Sequence, residues 1–520
     1  MIVIVLIAGI FIGNMLIPQK NQTFNANFNI NNNNKISSII RLLQENYVDK
    51  ISIDSIQELA IPEILKNLDP HSVYFPPKVN EAEHERLSGN FEGIGVQFNI
   101  QNDTILIINI ISGGPSEKVG VLPGDRIVKI NDSLFAGVGV TNEIVMKNLK
   151  GPKGTVVTIG VKRKGIKELI EFPIERDEIP LYSVDVSYML TDDIGYIKIS
   201  RFAGTTYQEF MEASVKLKAA GMKKMVLDLR DNGGGYLNTA VEIIDEFLPS
   251  GEMIVYTEGA FRDRVEYKST NSDFLKDVEL AVLINSWSAS ASEILSGAIQ
   301  DNDRGTIIGR RSFGKGLVQE EFTFNDNSGV RITIARYYTP VGRSIQKPYE
   351  NGSDMYYHDI YKRAADGELA DADSIGFPDS LKFVTKGGKT VYGGGGIMPD
   401  FFVPVDTTHF TDYYFELTRK GIIYNFALTY ADNNRSVLQE LKEYRKINNY
   451  LENSDVFKSF LRFAKNEGVN FIPDQYEKSK LVIHTSIKAY IARNIIDNDG
   501  YFPIIKDIDN DLLKAVEILN

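Results

Sequence analysis

The spacing of apolar residues divides the chain into segments of different character. Residues 35–68 carry apolar side chains at helical spacing, which predicts a small helical region extending over residues 35–88. Asp69-Pro70-His71 ends the periodic run, since proline cannot continue a helix. Short apolar runs then alternate with Gly and Pro turns over residues 89–168, as is typical of a small β-rich domain. The expected elements there are the strands Gly95–Ile100, Ile105–Ile111, Asp125–Ile130 and Thr155–Lys162 and the helix Asn142–Leu149.

Strands and helices alternate over residues 176–405, which predicts an α/β core with a buried sheet. Polar, Gly-rich composition within it predicts a loop-rich insertion at residues 346–392. Residues 406–520 return to helical spacing and predict a C-terminal helical region. The expected strands of the core are Ile194–Ile199, Met225–Leu229 and Ala281–Asn285, its helices are Thr206–Ala220 and Leu237–Leu248, and the C-terminal helices are Thr411–Tyr430, Val437–Tyr444 and much of Ser454–Asn520.

The first seventeen residues are almost wholly apolar, and Lys20 is the first basic residue. A buried helix is one interpretation, but an apolar terminus followed by an Asn-rich polar stretch is a targeting pattern. We expect residues 1–18 to be a membrane anchor or signal segment, more readily an uncleaved anchor, and residues 19–34 to be a linker. The protein is then expected to be extracytoplasmic (periplasmic) and anchored in the inner membrane.

Composition excludes several classes of function. A chain of 520 residues is too long to fold around one hydrophobic core, so we expect two to four domains. A net charge of -12 argues against a nucleic-acid partner. The absence of cysteine excludes thiol proteases, thiolate metal sites and disulfides. The five histidines include no HExxH pair, so a zinc peptidase of that type has no support and no metal is expected.

Ser290 lies where an apolar strand runs into a Ser/Ala-rich helix. A nucleophile at a helix N-terminus benefits from unpaired N–H groups and the helix dipole, which favour developing negative charge. Ser290-x-x-Glu293 is also a capping box, so a purely structural role is the alternative.

Lys315 is flanked by Gly314 and Gly316, which permit close backbone approach. A lysine serves as base to a serine when burial lowers its pKa. In an extended run Gln319 points to the same side as Lys315 and is placed to orient the amine. The alternative is a solvated turn lysine.

A glycine turn, Gly233-Gly234-Gly235, follows the strand Met225–Leu229. Such a turn is able to present backbone N–H groups to an oxyanion, to cradle a phosphate, or simply to turn the chain. The P-loop pattern is absent, because no GK[ST] follows.

These three motifs together resemble the C-terminal processing peptidases, also called tail-specific proteases. Leu-Arg-Asp-Asn-Gly-Gly-Gly stands at 229–235, Ser-Ala-Ser-Ala-Ser-Glu at 288–293 and Phe-Gly-Lys-Gly-x-Val-Gln at 313–319. The resemblance implies Ser290 as nucleophile, Lys315 as general base and Gln319 as the residue that positions the lysine. It also implies an oxyanion hole from the N–H groups of Gly235 and Ala291, with Gly234 a less favoured donor. A core similar to the crotonase/Clp-protease type and no cofactor are implied as well.

The segment Gly93-Ile94-Gly95-Val96 resembles the carboxylate-binding loop of PDZ domains, and Leu122–Ile127 is similar to PDZ sequence. A loop in which the glycines merely bend a strand is the alternative. The resemblance implies an inserted β-rich PDZ-like domain and protein or peptide substrates with apolar C-termini. The family often has Arg where Lys150 stands.

The rival functions are a non-catalytic PDZ peptide-binding scaffold and a crotonase-like acyl-CoA enzyme. A homo-oligomer or a regulatory partner is compatible with the helical regions at both ends of the chain.

Overall fold

The computed structural model describes residues 34–111, 113–350 and 352–520. The described residues divide into two compact units, residues 34–64 and 65–520. In the first unit the helices α1 (Lys35–Asn46) and α2 (Ile53–Leu65) confirm the predicted helical region. The predicted anchor and all of the predicted linker except Asn34 lie outside the described residues. Of the helices that are described, none has the length and apolarity needed to cross a membrane.

The second unit opens with a strand that the helical prediction for residues 35–88 missed. Strand β1 (Val73–Phe75) pairs with residues 329–331, far along the chain, so local spacing carries no signal for it. Helix α3 (Pro77–Ser88) follows and ends at Gly89, whose φ of 87° suits glycine. Strand β2 (Asn90–Gly93) then leads into the next domain.

Residues 96–175 form a β-rich domain around one apolar cluster. Its main sheet has the order β3-β4-β5-β7-β8, with β3 at an edge. The predicted helix Asn142–Leu149 is confirmed with the same bounds. The elements are β3 (Val96–Ile100), β4 (Ile105–Ile110), α4 (Pro115–Lys118), β5 (Arg126–Ile130), β6 (Ser133–Leu134), α5 (Asn142–Leu149), β7 (Val156–Lys162) and β8 (Ile170–Glu175), and β9 (Asp177–Pro180) returns to pair with β2.

The α/β core is built on a sheet of order β10-β11-β12-β15-β16-β21, in which β21 is Phe401–Phe402. Strands β11, β12, β15, β16 and β21 run parallel, and β10 is antiparallel to β11. The elements are β10 (Val184–Met189), β11 (Ile194–Ile199), α6 (Thr206–Ala219), β12 (Lys224–Asp228), α7 (Leu237–Asp245), β13 (Met253–Gly259), β14 (Arg262–Lys268), β15 (Glu279–Ile284), α8 (Ala291–Asp301) and β16 (Thr306–Gly309).

The central strands are apolar at successive positions because both faces of the sheet are covered. Alternate residues such as Leu227 and Val282 pack with α6, α7 and α8 on one face. Their neighbours Val226 and Leu283 pack on the other face with the last helix of the chain, around Leu512.

A second sheet contains β1, β13, β14 and two strands that follow the lysine loop. Strands β17 (Leu317–Thr323) and β18 (Gly329–Tyr338) pair, and β18 also pairs with β1 and β13. The insertion at 346–392 is not simply loop-rich, because it holds the helix α9 (Ser353–Ala365) and the hairpin β19 (Lys382–Val384) and β20 (Thr390–Tyr392). Strand β21 (Phe401–Phe402) closes the core sheet.

The C-terminal region is helical, as predicted, but Gly421 divides the predicted helix Thr411–Tyr430 because it adopts a left-handed conformation. The region contacts the β-rich domain through an ion pair of 2.7 Å between Asp432 and Arg126 and a hydrogen bond of 2.7 Å between Tyr424 and Asn99. Its helices are α10 (Asp412–Arg419), α11 (Ile422–Asn433), α12 (Arg435–Leu441), α13 (Tyr444–Glu452), α14 (Val456–Asn466), α15 (Pro473–Ile496), α16 (Asn498–Ile505) and α17 (Asn510–Leu519).

Candidate active site

The loops that follow β12, β15 and β16 carry the residues singled out in the sequence. These strands are neighbours and parallel, so their carboxyl ends meet at one edge of the sheet. The glycine turn 233–235 follows β12, Ser290 follows β15, and Lys315 follows β16. The fold therefore gathers three segments that are far apart in sequence, at the edge where open α/β sheets bind ligands.

Ser290 sits at the N-cap of α8 in a strained backbone conformation. Its φ is 57° and its ψ is -114°, which residues other than glycine rarely adopt. Such strain persists only where the surroundings enforce it, and it clusters at functional sites. A sharp, strained turn between strand and helix also exposes the side chain of its residue.

Glu293 binds the backbones of both Ser290 and Lys315. Its Oε2 accepts the Ser290 N–H at 2.9 Å and the Lys315 N–H at 2.8 Å. Its Oε1 accepts from the Ser312 hydroxyl at 2.5 Å and the Gly314 N–H at 2.7 Å. The residue is fully buried, and burial raises its pKa to about 7 despite these donors. The capping glutamate of the sequence motif thus also holds the lysine loop against the serine.

Tyr337, on β18, makes a second bridge between the same two residues. Its hydroxyl lies 2.5 Å from the Lys315 carbonyl oxygen and 3.2 Å from that of Ser290. Its side chain is 1% exposed, so solvent does not compete for these contacts. Ser290 and Lys315 are therefore brought together and joined through both their amide and their carbonyl groups.

The glycine turn packs directly against Ser290. A Cβ on Gly234 would lie 2.7 Å from the Ser290 Cβ and 2.9 Å from the Ala291 nitrogen. The Gly234 N–H is already engaged by the Asn232 side chain at 2.9 Å. In the described part of the chain, the N–H groups of Gly235 and Ala291 donate to no acceptor. These two groups remain able to donate to an oxygen bound beside Ser290.

The electrostatics around Lys315 favour an uncharged amine. Burial is the largest cause, followed by the positive charge of Arg331, and together they lower the pKa of Lys315 to about 8 although Glu293 and Asp69 oppose the shift. Lys315 lies in the loop before strand β17, outside the strand pairing. The preceding residue, Gly314, has a φ of 91°, a left-handed conformation that suits glycine.

Gln319 is not bonded to the lysine in this structure. Strand β17 begins at Leu317 and its register shifts between Val318 and Gln319, so the extended-run geometry does not apply. The Gln319 Nε2 lies 3.5 Å from the Thr333 Oγ1, at the limit of a hydrogen bond. The role implied for Gln319 stays a prediction.

Asp69 and His71 lie beside Lys315, although no role at the site was predicted for them from the sequence. The Thr333 hydroxyl donates to Asp69 at 3.1 Å, and the Ser72 hydroxyl donates to it at 2.6 Å. Burial, and then the charge of Lys315, lower the pKa of His71 to about 3, and its Nε2 lies 3.0 Å from the Tyr356 hydroxyl. A histidine with such a pKa is a poor base at neutral pH, which leaves Lys315 better matched to that task.

The helix of the insertion, α9, covers the lysine loop. The Tyr356 ring packs edge-on against Phe313, and Arg363 donates to the Ser312 carbonyl at 3.0 Å. The Lys347 ammonium lies 3.9 Å from the centre of the Phe313 ring. The insertion therefore supports the loop that carries Lys315.

The loop Gly93-Ile94-Gly95-Val96 lies beside the edge strand β3. The Ser116 hydroxyl and N–H donate to the Ile94 carbonyl at 2.6 and 3.1 Å, while Gly95 has a φ of 73°. Among the described residues, the N–H groups of Ile94 and Gly95 donate to no acceptor, and β3 pairs only with β4. A loop N–H pair next to an open strand edge is the arrangement that binds a peptide carboxylate and extends the sheet.

Parts of the chain match models of known protein families. Residues 193–352 match the model of peptidase family S41, residues 93–174 match the PDZ domain, and residues 413–497 match a family of unknown function (DUF8443). The carboxy-terminal-processing protease of Bartonella bacilliformis is 35% identical over 350 residues, covering 66% of this chain and 80% of that protein. The chain belongs to the carboxy-terminal processing proteases of family S41.

Other relatives of this processing protease carry similar names. A probable CtpA-like serine protease of Staphylococcus aureus is 34% identical over 345 residues, covering 66% of this chain and 67% of that protein. The structure of a photosystem II D1 C-terminal processing protease covers 59% of this chain and 87% of its own, with 26% identity and a TM-score of 0.33. The family match and the named relatives make the protein a serine peptidase with a PDZ domain, and its C-terminal region is helical. The protease prediction is favoured over the non-catalytic scaffold.

Proposed function

We propose that this processing protease cleaves protein chains through a Ser290–Lys315 dyad and selects them by their C-terminal tails. The observation that carries the proposal is the pair of buried bridges, Glu293 and Tyr337, that hold the two backbones together. The lowered pKa of Lys315 supplies the uncharged amine that a general base requires.

The proposed reaction is acyl transfer. Uncharged Lys315 accepts the hydroxyl proton of Ser290 as the Oγ bonds to the carbonyl carbon of the substrate. The Gly235 and Ala291 N–H groups donate to the resulting oxyanion. The lysine returns the proton to the leaving amine as the C–N bond breaks, which leaves an ester on Ser290. Water then gives a proton to Lys315, adds to the ester carbon and releases the acid as the proton returns to the Ser290 Oγ. Gln319 is proposed to steady the lysine when substrate is bound.

Tail selection is proposed for the PDZ domain. The carboxylate of an apolar C-terminus binds the N–H groups of the 93–96 loop, while the peptide extends the sheet along β3. The C-terminal helical region contacts β3 through the side chains of Gln97 and Asn99, and it contacts Gln101 just beyond the strand. Among the described residues the backbone of β3 pairs only with β4, which leaves the other backbone edge of the strand available.

The finer assignments of fold and location are also proposals. Parallel strands that end in a glycine turn and a helix N-terminus, each offering an N–H group, support a core of the crotonase/Clp-protease type. The apolar residues 1–18 support an anchor in the inner membrane with an extracytoplasmic catalytic part. Removal of residues 1–18 should move the protein from a carbonate-washed membrane fraction to the soluble fraction.

The catalytic proposal is tested by degradation of one model protein that carries either an apolar or a charged C-terminal tail. Wild-type enzyme should degrade the apolar-tailed form faster, and both Ser290→Ala and Lys315→Ala should lose the activity while remaining folded by circular dichroism. Full activity in either variant would remove the dyad from the proposal.

The tail-binding proposal has a matched pair of variants. Gly95→Ala and Gly139→Ala both place a side chain at a positive φ, 73° and 75°, and so carry similar backbone strain. Gly95 lies in the carboxylate loop, and its new Cβ would lie 3.1 Å from the Cδ1 of Ile179 on β9, whereas the new Cβ at Gly139 meets nothing within 4 Å. Gly95→Ala should weaken binding of a tail peptide, measured by fluorescence anisotropy, and Gly139→Ala should not. Equal affinities of the two variants for the tail peptide would indicate that the tail binds elsewhere on the protein.

A further inference from the structure

Arg230 and Arg310 each lie five residues before a residue of the active site, Arg230 before Gly235 and Arg310 before Lys315. They follow the carboxyl ends of β12 and β16, the two strands that flank β15, and their side chains are only 13% and 14% exposed. Both are bound by acidic residues at the start of the C-terminal helix α17.

Arg230 is surrounded by carboxylates. Its Nη1 and Nη2 donate to the two oxygens of Asp509, each at 2.7 Å, and Nη1 also donates to Asp511 at 3.0 Å. Its Nε donates to Asp228 at 3.0 Å, at the end of β12. The guanidinium is therefore fixed from the strand side and from the helix side.

Asp511 is shared between the two arginines. Arg310 donates to both of its oxygens, at 2.8 and 2.7 Å, in the parallel geometry that restricts orientation as well as distance. Asp511 is 4% exposed, so solvent cannot replace these partners without a rearrangement.

The helix that carries these acids is itself held firmly. Its Leu512, Ala515 and Leu519 pack on the face of the core sheet. The Asp509 side chain caps the helix by accepting the Leu512 N–H at 3.1 Å. The packed helix thus binds, through Asp509 and Asp511, the arginines at the strand ends from which the glycine turn and the lysine loop depart.

We propose that Asp511, assisted by Asp509, is a positioning residue for proteolysis. It binds Arg230 and Arg310 and thereby sets the placement of the Gly235 turn relative to the Lys315 loop. The C-terminal helix is then part of the catalytic apparatus although it touches no substrate. The inference rests on the proposed function of the dyad and the oxyanion turn.

The test compares Asp511→Asn with Glu517→Gln, a charge removal on the same helix at a side chain that is 69% exposed. The kcat and KM are measured on a fluorogenic peptide, and active sites are counted with a fluorophosphonate probe. Asp511→Asn should lower kcat per titrated site about tenfold or more with KM changed less than about twofold, because misplacement of catalytic groups costs mainly turnover. Glu517→Gln should match wild type.

A double-mutant cycle with Arg310→Gln separates positioning from general stability. If Asp511 acts through Arg310, the double variant loses little more kcat than the worse single variant. Additive losses, or a wild-type kcat per titrated site in Asp511→Asn despite a lower unfolding temperature, would overturn the inference. If Asp511→Asn does not fold, Asp509→Asn is measured in its place, because it leaves the Asp511–Arg310 pair intact. An unchanged kcat in Asp509→Asn would then overturn the inference. A wild-type enzyme that neither turns over peptide nor takes the probe would instead overturn the proposed function.

Discussion

The pH dependence of peptide hydrolysis should report the titration of Lys315. Its pKa is lowered to about 8, chiefly by burial, from an ordinary value of 10.5. Only the uncharged amine accepts a proton, so activity rises with pH through this value. About one amine in ten is uncharged at pH 7, compared with about one in three thousand at the ordinary pKa, so the site gains a factor of about three hundred in active enzyme.

The assay is kcat/KM for a short fluorogenic peptide without titratable groups, measured between pH 5.5 and 10. Its logarithm should rise with unit slope at low pH and level off above about pH 8. Circular dichroism at each pH controls for unfolding. A profile that is flat over this range, or one that still rises with unit slope at pH 10, would refute a desolvated lysine base.

Neighbouring charges should move this midpoint in opposite directions. Arg331 lowers the pKa of Lys315 and Asp69 raises it. The midpoint should therefore rise in Arg331→Gln and fall in Asp69→Asn, measured by the same assay. Shifts of the same sign in the two variants would contradict the electrostatic account.

Three further predictions concern the groups around the dyad. Gly234→Ala should abolish activity, because its Cβ would overlap the side chain of Ser290 and the substitution would stand at a φ of 98°. Gly233→Ala, whose Cβ meets nothing within 4 Å, should keep wild-type kcat/KM, and equal losses in the two variants would contradict the packing. Tyr337→Phe removes the hydroxyl that bridges the backbones of Ser290 and Lys315, and it should lower kcat about tenfold and the unfolding free energy by about 1 kcal/mol. The control Tyr338→Phe, at a ring that stacks on Tyr256, should change neither quantity. Glu293 holds a proton up to about pH 7 in the folded protein but only up to about pH 4.5 in the unfolded chain, so the free energy of unfolding should fall by at most about 3 kcal/mol as the pH rises across that window. Urea unfolding of Glu293→Gln should lack this fall, and an identical dependence of unfolding free energy on pH in wild type and variant would show that the carboxyl does not titrate there.

Elements with strong local periodicity were predictable from the sequence. The helix Asn142–Leu149 and the strand Ile194–Ile199 have the bounds that their patterns indicated. Strand Val73–Phe75 was missed because it exists only through pairing with residue 329 and its neighbours. Helix Ser353–Ala365 was missed because its composition is polar, although its buried Tyr356 and Ile360 pack inward.

The residues of the candidate active site also separate into those with a local sequence signal and those placed by long-range packing. Ser290 and Lys315 were found because short motifs carry them, and Glu293 was found as a capping residue. His71 and Tyr337 were not found, since each reaches the site from a distant part of the chain and only the fold brings them there. The contact of Asp511 with Arg310 was not found either, because it joins residues that lie 201 positions apart. The second role of Glu293, holding the Lys315 N–H, depends on the same long-range packing.

The central claim, that uncharged Lys315 activates Ser290, is tested most directly by mapping a fluorophosphonate adduct by mass spectrometry. Wild-type enzyme at pH 8 should carry the label on the peptide that contains Ser290, and Lys315→Met, which keeps the length of the side chain without its amine, should label at least a hundredfold more slowly, a loss on the order expected for a general base. A label on another residue, or labelling of Lys315→Met at the wild-type rate, would contradict the account.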